Sequence, residues 1–293
     1  MSPADVMPRP LSRRPLGPFQ VSPIGFGAMR LTGPNIFGPP SDLKDAVRLL
    51  REAVEAGVDH IDTAEYYGPH IVNQLIREAL SPYPPQLVLV SKVGARRDDR
   101  GGVFAYDAPS QLRGAIEENL RTLAIDSLPV VNLRLMRRGE PDAFFDDQVG
   151  AMVAARDDGL IRAIGLSSVS LKHLRRALEL TDIVCVQNSY HPSDRRSQPV
   201  LEECTRRGIA FVPFAPLGSG HRGPGSALDA DAVRRVAARL RCSPAQVALR
   251  WALQAAPNIL LIPGTASRQH LRENLDAATV RLDPDAIRDL SAA

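Results

Sequence analysis

Cysteine is scarce in this chain. Cys185, Cys204 and Cys242 are the only three in 293 residues, and they lie far apart. Their number and spacing exclude a fully paired disulfide framework and offer no metal-ligand pattern. Reduced thiols in a cytoplasmic compartment are the expectation. No apolar run reaches about 18 residues, so no membrane-spanning helix is expected. The segment Met1–Pro18 is rich in proline and arginine and lacks the apolar stretch of a secretion signal, so it reads as a loose arm. A surplus of one charge is also missing. Thirty-six Lys and Arg against 33 Asp and Glu leave a net charge of +3, with arginines interspersed among acids and no dense basic block. A nucleic-acid partner is therefore not expected. Finally, Gly25-Phe26-Gly27-Ala28-Met29-Arg30 lacks the third glycine of a Gly-x-Gly-x-x-Gly turn. That argues against an open doubly wound dinucleotide fold.

What is present is regular alternation. A composition of 44% hydrophobic and 24% charged residues suits one globular domain with a large core. Short apolar runs read as strands at Ile24–Ala28, His60–Asp62, Leu87–Lys92, Val130–Leu135, Ile161–Leu166, Ile183–Gln187, Ile209–Phe214 and Ile259–Pro263. Amphipathic segments separate them: Leu43–Glu55, Val72–Leu80, Gln111–Leu123, Ala143–Arg156, Leu171–Leu180, Pro199–Arg207 and Ala230–Gln254, the last broken near Ser243-Pro244. Ser41, Ser110, Ser170 and Ser243 stand where N-caps belong, and Gly57, Gly159 and Gly208 where helices end. A further short helix is expected at Pro284–Leu290. Eight βα repeats predict an α/β fold, a single-domain (β/α)8 TIM barrel over residues 19–293 that follows the loose arm 1–18. The polar stretch Gly94–Ala108 is expected at the barrel mouth.

In such a barrel, residues that close a strand at its C-terminal end face the active-site mouth. Asp62 closes His60-Ile61-Asp62, and Lys92 closes Val88-Leu89-Val90-Ser91-Lys92. Tyr67 lies on the loop just after Asp62. A carboxylate, an ammonium and a phenol in one cleft form a proton-transfer device. The ammonium is expected to lower the phenol pKa, and the carboxylate to hold the ammonium.

Several motifs then carry a resemblance. Asp62-Thr63-Ala64 with Tyr67-Gly68, Ser91-Lys92-Val93, Ile164-Gly165-Leu166-Ser167-Ser168, Val186-Gln187-Asn188 and Phe214-Ala215-Pro216-Leu217-Gly218 follow in order, with Ile262-Pro263-Gly264-Thr265 and Leu271-Arg272-Glu273-Asn274 after them. Together they resemble the aldo-keto reductase family over most of the chain. The resemblance implies reduction of a small-molecule aldehyde or ketone to an alcohol with NADPH, NADH being less favoured, and no metal. It implies that Tyr67 donates the proton, with Lys92 and Asp62 as its partners and Tyr66 as the fallback donor. It implies cofactor contacts from Gly27, Ala28 and Met29 near the first strand, and from Ser167, Ser168 and Gln187 at the nicotinamide amide. Phe214 would stack on the ring, and Pro216, Leu217 and Gly218 would lie under the pyrophosphate, with 219–226 as a clasp. Gly264, Thr265, Ser267, Arg268, Glu273 and Asn274 would serve the adenosine end. Ser168 replaces the usual asparagine, and Gly264 and His270 replace the usual lysine and arginine.

Arg134 stands where most of the family carries histidine. Arginine does not act as a general acid near neutrality. It either supplies a fixed charge beside Tyr67 or binds an anionic oxygen of the substrate. Val130-Val131-Asn132-Leu133-Arg134, with Tyr67-Gly68-Pro69-His70, is similar to a bacterial branch of the family related to pyridoxal reductases. That implies pyridoxal, reduced to pyridoxine, as a candidate substrate. The chain ends soon after its last helix, which points to an open pocket suited also to a bulky natural-product intermediate. The rival reading is a nicotinamide-binding sensor barrel with little turnover.

Overall fold

A computed structural model describes residues 12–137, 139–218 and 226–291. The chain opens with a small antiparallel hairpin, β1 (Arg14–Leu16) and β2 (Phe19–Val21). The strands β3 (Phe26–Gly27), β4 (His60–Asp62), β5 (Val88–Arg97), β7 (Val130–Arg134), β8 (Ile164–Ser167), β9 (Cys185–Gln187) and β10 (Ala210–Phe211) follow. They pair side by side, in chain order and all parallel, as one curled seven-strand sheet. β6 (Val103–Tyr106) folds back antiparallel on the far end of β5. Both edges of the sheet meet one segment. Phe211 bridges Ile259, and Ile24 bridges Leu261. Leu260 N donates to Phe211 O, and Leu261 N donates to Pro23 O.

The helices cover the outer face, from α1 (Leu43–Glu55), α2 (Ile71–Leu80) and α3 (Pro109–Leu123) through α4 (Ala143–Asp157), α5 (Leu171–Leu180) and α6 (Gln198–Arg207). The broken segment becomes α7 (Asp231–Leu240) and α8 (Pro244–Ala255). Ser243 caps α8 reciprocally: its hydroxyl accepts from Gln246 N at 3.2 Å while its own N–H donates to Gln246 Oε1 at 2.9 Å. α9 (Arg268–Asp276) and α10 (Pro284–Ser291) complete the set. No helix among the described residues is long and apolar enough to cross a membrane.

Successive residues of a strand face opposite sides, so one set packs under the helices and the other fills the sheet interior. The interior set is Val88, Val90, Val130, Ala163, Cys185, Ala210, Val212, Leu260 and Ile262, and it is closed by Leu16 and Val21 of the hairpin. The loose arm expected to reach Pro18 therefore ends earlier. Gly17 at φ +59° turns the hairpin, and Leu16 is 1% exposed beneath the sheet. Burial of its side chain outweighs the irregular reading that two prolines and a glycine invite. The remainder of the arm, residues 1–11, lies outside the described residues.

Other boundaries shift as well. The strand expected at Ile24–Ala28 is only Phe26–Gly27, because Ala28 already opens a 3-10 turn. The expected Ile209–Phe214 shortens to β10, with Phe214 bridging Ser189. α1 is capped by Asp42, which accepts from Asp45 N at 2.8 Å, rather than by Ser41. α3 starts at Pro109, whose fixed φ suits a first helical residue, so Ser110 lies inside the helix.

Candidate active site

The strand register brings the C-terminal ends of β4, β5, β7, β8 and β9 together. Asp62 pairs with Val90, Lys92 with Asn132, Arg134 with Ser167, and Ser167 with Gln187. Lys92 and Asp62 are 5% and 3% exposed, so each charge depends on the other rather than on water. Lys92 Nζ donates to Asp62 Oδ1, and to Thr63 O at 3.1 Å. The second oxygen of Asp62 accepts from Gln187 Nε2. Burial pulls the Lys92 pKa down, but the Asp62 charge and the two tyrosines hold it above the ordinary lysine value.

Tyr67 packs over this pair, with Lys92 Nζ 5.1 Å from its ring centroid. Burial pushes its phenol up to about 12, against the opposing pull of Lys92. The expected lowering by Lys92 is thus present but outweighed. In a dry site the phenolate loses its hydration, and a lysine already neutralised by Asp62 compensates only in part.

Arg134 contacts the other tyrosine. Its Nη1 donates to Tyr66 Oη at 3.2 Å. Tyr66 packs edge-on against Tyr67, with centroids 5.3 Å apart at 79°. The arginine charge therefore reaches Tyr67 across an intervening ring.

A polar cluster behind the site was not anticipated. Thr63 Oγ1 donates to Asn73 Oδ1 at 2.8 Å, and Asn73 Nδ2 donates to Asn119 Oδ1 and Thr122 Oγ1, both at 3.0 Å. Ser91 Oγ also donates to Asn119 Oδ1, at 2.6 Å. Thr63 and Ser91 neighbour Asp62 and Lys92 in sequence, so they face the helices where their neighbours face the cleft. The network ties the two functional strand ends to α2 and α3. The alternation beside Asp62 and Lys92 was the available signal.

A cleft opens on this centre, lined by Gly27, Met29, Arg30, Asp62, Tyr67, Lys92, Phe214, Ala215, Pro216, Leu217, Gly218, Ile262, Pro263 and Gly264. A Cβ at Gly27 would run into Ile262 O, and one at Gly264 would lie 2.5 Å from Gly27 O. The cleft wall is bare backbone here because no side chain fits. Gln187 Oε1 is buried and has no hydrogen-bond partner. It is a buried acceptor beside Asp62, on which its Nε2 is held, and it fits the N–H of a nicotinamide carboxamide. Ser167 is buried at the end of β8. Ser168 is exposed at φ +62°, with its N–H on Gln187 O at 2.9 Å. Ala28 is buried behind Met29.

The remaining anticipated cofactor residues lie away from the cleft lining, around the start of α9. Ser267 caps that helix, accepting from His270 N at 3.4 Å, and its own N–H donates to Thr265 Oγ1 at 2.9 Å. Arg268 pairs with Glu52 at 3.1 Å and Asp45 at 3.6 Å on α1. Glu273 accepts from Gln269 at 2.8 Å, and Asn274 is buried. Most of the expected clasp, 219–225, lies outside the described residues.

Known proteins agree with this architecture. The Aldo/keto reductase family model matches residues 23–293. The chain is 42% identical over 278 residues to Pyridoxine 4-dehydrogenase of Escherichia coli, across 94% of this chain and 96% of that protein. It is 36% identical to an uncharacterized oxidoreductase of Schizosaccharomyces pombe, across 94% and 87% of the two chains. A thermostable aldo-keto reductase solved with the inhibitor epalrestat shares its fold at a TM-score of 0.81 and 27% identity, covering 96% of this chain and 99% of that one. An aldo-keto reductase of Klebsiella pneumoniae in complex with NADPH gives 0.79 at 24% identity, covering 96% and 94%. Fold and relatives define an oxidoreductase acting on the C=O/CH–OH pair. The chain belongs to the aldo/keto reductase family.

Proposed function

We propose that the protein is an NADPH-dependent carbonyl reductase with pyridoxal as a candidate substrate, built on a closed single-domain (β/α)8 barrel. The bridges from both sheet edges to the 259–261 segment support the closure. The hairpin at 14–21 belongs to the domain. The observation that carries the function is the convergence of Tyr67 on the buried Lys92–Asp62 pair at the cleft, with the unpartnered Gln187 Oε1 buried beside Asp62.

When bound, the nicotinamide supplies the hydride that reaches the carbonyl carbon. Tyr67 holds the proton that the carbonyl oxygen receives. Its pKa of about 12 keeps the phenol protonated at neutral pH, so the acid is loaded before each turnover. Lys92 stands beside the phenolate left behind and limits the cost of its charge. Asp62 fixes Lys92 in that position and is itself fixed by Gln187. Gln187 Oε1 and Ser167 would hold the carboxamide, and Phe214 would cover the ring.

The free amides at the start of α9, with Ser267 beside them, favour a 2′-phosphate and hence NADPH over NADH. The NADPH complex of the Klebsiella relative is consistent with this preference. Pyridoxal is favoured by the Escherichia coli relative that acts on pyridoxine, and the three reduced thiols suit a cytoplasmic setting. The test follows NADPH oxidation with pyridoxal, beside 4-nitrobenzaldehyde as a neutral aldehyde, for the wild type and Tyr67→Phe. Turnover of pyridoxal that Tyr67→Phe abolishes is expected. Turnover of the neutral aldehyde alone removes pyridoxal. Tight NADPH binding without turnover of either points to a sensor.

A further inference from the structure

We propose that Arg97 and Arg134 together bind an anionic oxygen group on the substrate, so that the enzyme selects carbonyl compounds bearing a second, negatively charged substituent. This rests on the reductase reading above and names its substrate class.

The pair exists because of one glycine. Gly94 sits at φ +108°, and a Cβ there would run into Arg134 O. β5 therefore crosses directly over the end of β7, a path open only to glycine. Beyond the crossing, β5 continues against β6, with Arg97 opposite Val103. Arg97 thus ends β5, five residues past Lys92, within the electrostatic reach of Arg134 at the end of β7.

Neither guanidinium has a carboxylate partner among the described residues. Arg97 Nη1 donates to Gly101 O at 2.5 Å, and Arg134 Nη1 donates to Tyr66 Oη at 3.2 Å. The Nε of each is buried and has no partner. Burial first, and then the charge of Arg134, lower the Arg97 pKa, while Tyr66 acts in the opposite sense. Arg96, next in the chain, differs: it stacks on Tyr106 at 4.0 Å and lies in the field of Glu65 and Glu118. Arg176 likewise has Asp146 at 2.6 Å. Two cations without a carboxylate partner, at the ends of β5 and β7 near Tyr66, attract an anion.

The phosphates of the cofactor are not that anion. They are assigned to Leu217–Gly218 and the start of α9, whereas Arg97 and Arg134 close β5 and β7. They lie beside Tyr66 and Tyr67, where the carbonyl compound would sit. Guanidinium forks match carboxylate and phosphate oxygens bidentately, and the same charge suits a ring phenolate.

The test compares 4-carboxybenzaldehyde with 4-nitrobenzaldehyde, whose nitro group has nearly the shape of the carboxylate and no net charge. 4-Formylphenyl phosphate and pyridoxal serve as the phosphate and phenolate arms. For each substrate kcat/KM is measured with the wild type, Arg97→Gln and Arg134→Gln. In each variant the ratio of carboxylate to nitro substrate is expected to fall about tenfold to a hundredfold, the size of a lost hydrogen bond to a charged group, mainly through KM. Arg97→Lys should restore part of the ratio. The arm that loses most identifies the preferred anion. Equal loss on charged and neutral aldehydes overturns the proposal, because the arginines would then act through Tyr67. Calorimetric titration of 4-carboxybenzyl alcohol against 4-nitrobenzyl alcohol, with NADP present, gives the same comparison without turnover. If no aldehyde is reduced but the carboxylate still binds more tightly and loses that advantage in Arg97→Gln, the anion site stands and the reductase reading falls. If both alcohols bind alike, the anion site falls.

Discussion

Removing the charge of Lys92 should damage the fold more than removing both charges of its pair. In Lys92→Met the aliphatic stem is kept and the ammonium lost. Asp62, 3% exposed, is then left with Gln187 Nε2 as its remaining donor. An uncompensated buried charge of this kind costs about 3–5 kcal/mol, a large part of the roughly 5–15 kcal/mol that holds a domain together. Adding Asp62→Asn removes the stranded charge and leaves a neutral amide that still accepts from Gln187. The double variant should recover most of the loss and sit within about 2 kcal/mol of the wild type. The residue of the cost is the loss of the Lys92 donor to Thr63 O, about 1 kcal/mol. Guanidinium denaturation reads this out through Trp251, the only tryptophan, which is buried and stacked on Tyr190 at 5.5 Å. Neither variant needs to turn over substrate, so stability is separated from catalysis. A single variant that costs under about 1 kcal/mol, or a double variant no more stable than the single, would refute the reading of Lys92 and Asp62 as a mutually dependent buried pair.

Two other outcomes follow from buried groups. Asn119→Leu should cost roughly 2–5 kcal/mol, because it strands the donors of Ser91 and Asn73 in the core; an unchanged denaturation midpoint would show the network to be dispensable. Stability should also fall in alkali. Burial raises the Cys204 thiol and the Tyr83 phenol to about 12, as it does Tyr67, and raises Cys185 in the same direction. These groups stay protonated in the fold while the unfolded chain ionises from about pH 8.5 for thiols and pH 10 for phenols. Their contribution is complete below those values and is lost as pH rises toward the folded pKa. The denaturation midpoint should drop between pH 8 and pH 11, and less steeply in Cys204→Ala; a flat profile would contradict the shifts.

Asp62, Lys92 and Tyr67 were legible because each follows a short apolar run, and a parallel sheet turns that position toward one end of the fold. The hairpin was not legible. Arg14-Pro15-Leu16-Gly17-Pro18 has the composition of a loop, and only the sheet interior supplies the burial that orders Leu16. The Asn73–Asn119 contact spans 46 residues, a separation at which polar residues carry no periodic signal. Arg97 was hidden by Gly94: a strand read by simple alternation stops before it, whereas the φ of +108° at Gly94 lets β5 continue across β7. The direction of the Tyr67 shift was missed for an energetic reason. Desolvation and a nearby cation act in opposite senses, and sequence gives the cation without the depth of burial.

The cations of the site and its surroundings divide by their counter-ions. Lys92 is neutralised by Asp62, so its field is short-ranged and acts on the phenol it touches. Arg268 is neutralised by Glu52 and Asp45 on α1. Among the described residues Arg97 and Arg134 have no carboxylate partner, so their field extends toward an approaching anion. On the proposed function, proton transfer depends on a locked pair on β4 and β5, and on the proposed anion site, substrate selection depends on an unlocked pair at the ends of β5 and β7. Because the two pairs share no hydrogen bond, loss of an arginine should be felt in KM for charged aldehydes, and loss of Lys92 in kcat for every aldehyde. An arginine at position 134 fits that division better than a histidine would. Its charge would not titrate with the proton that Tyr67 gives up on the proposed function, so the attraction for an anion would persist through the whole reaction cycle.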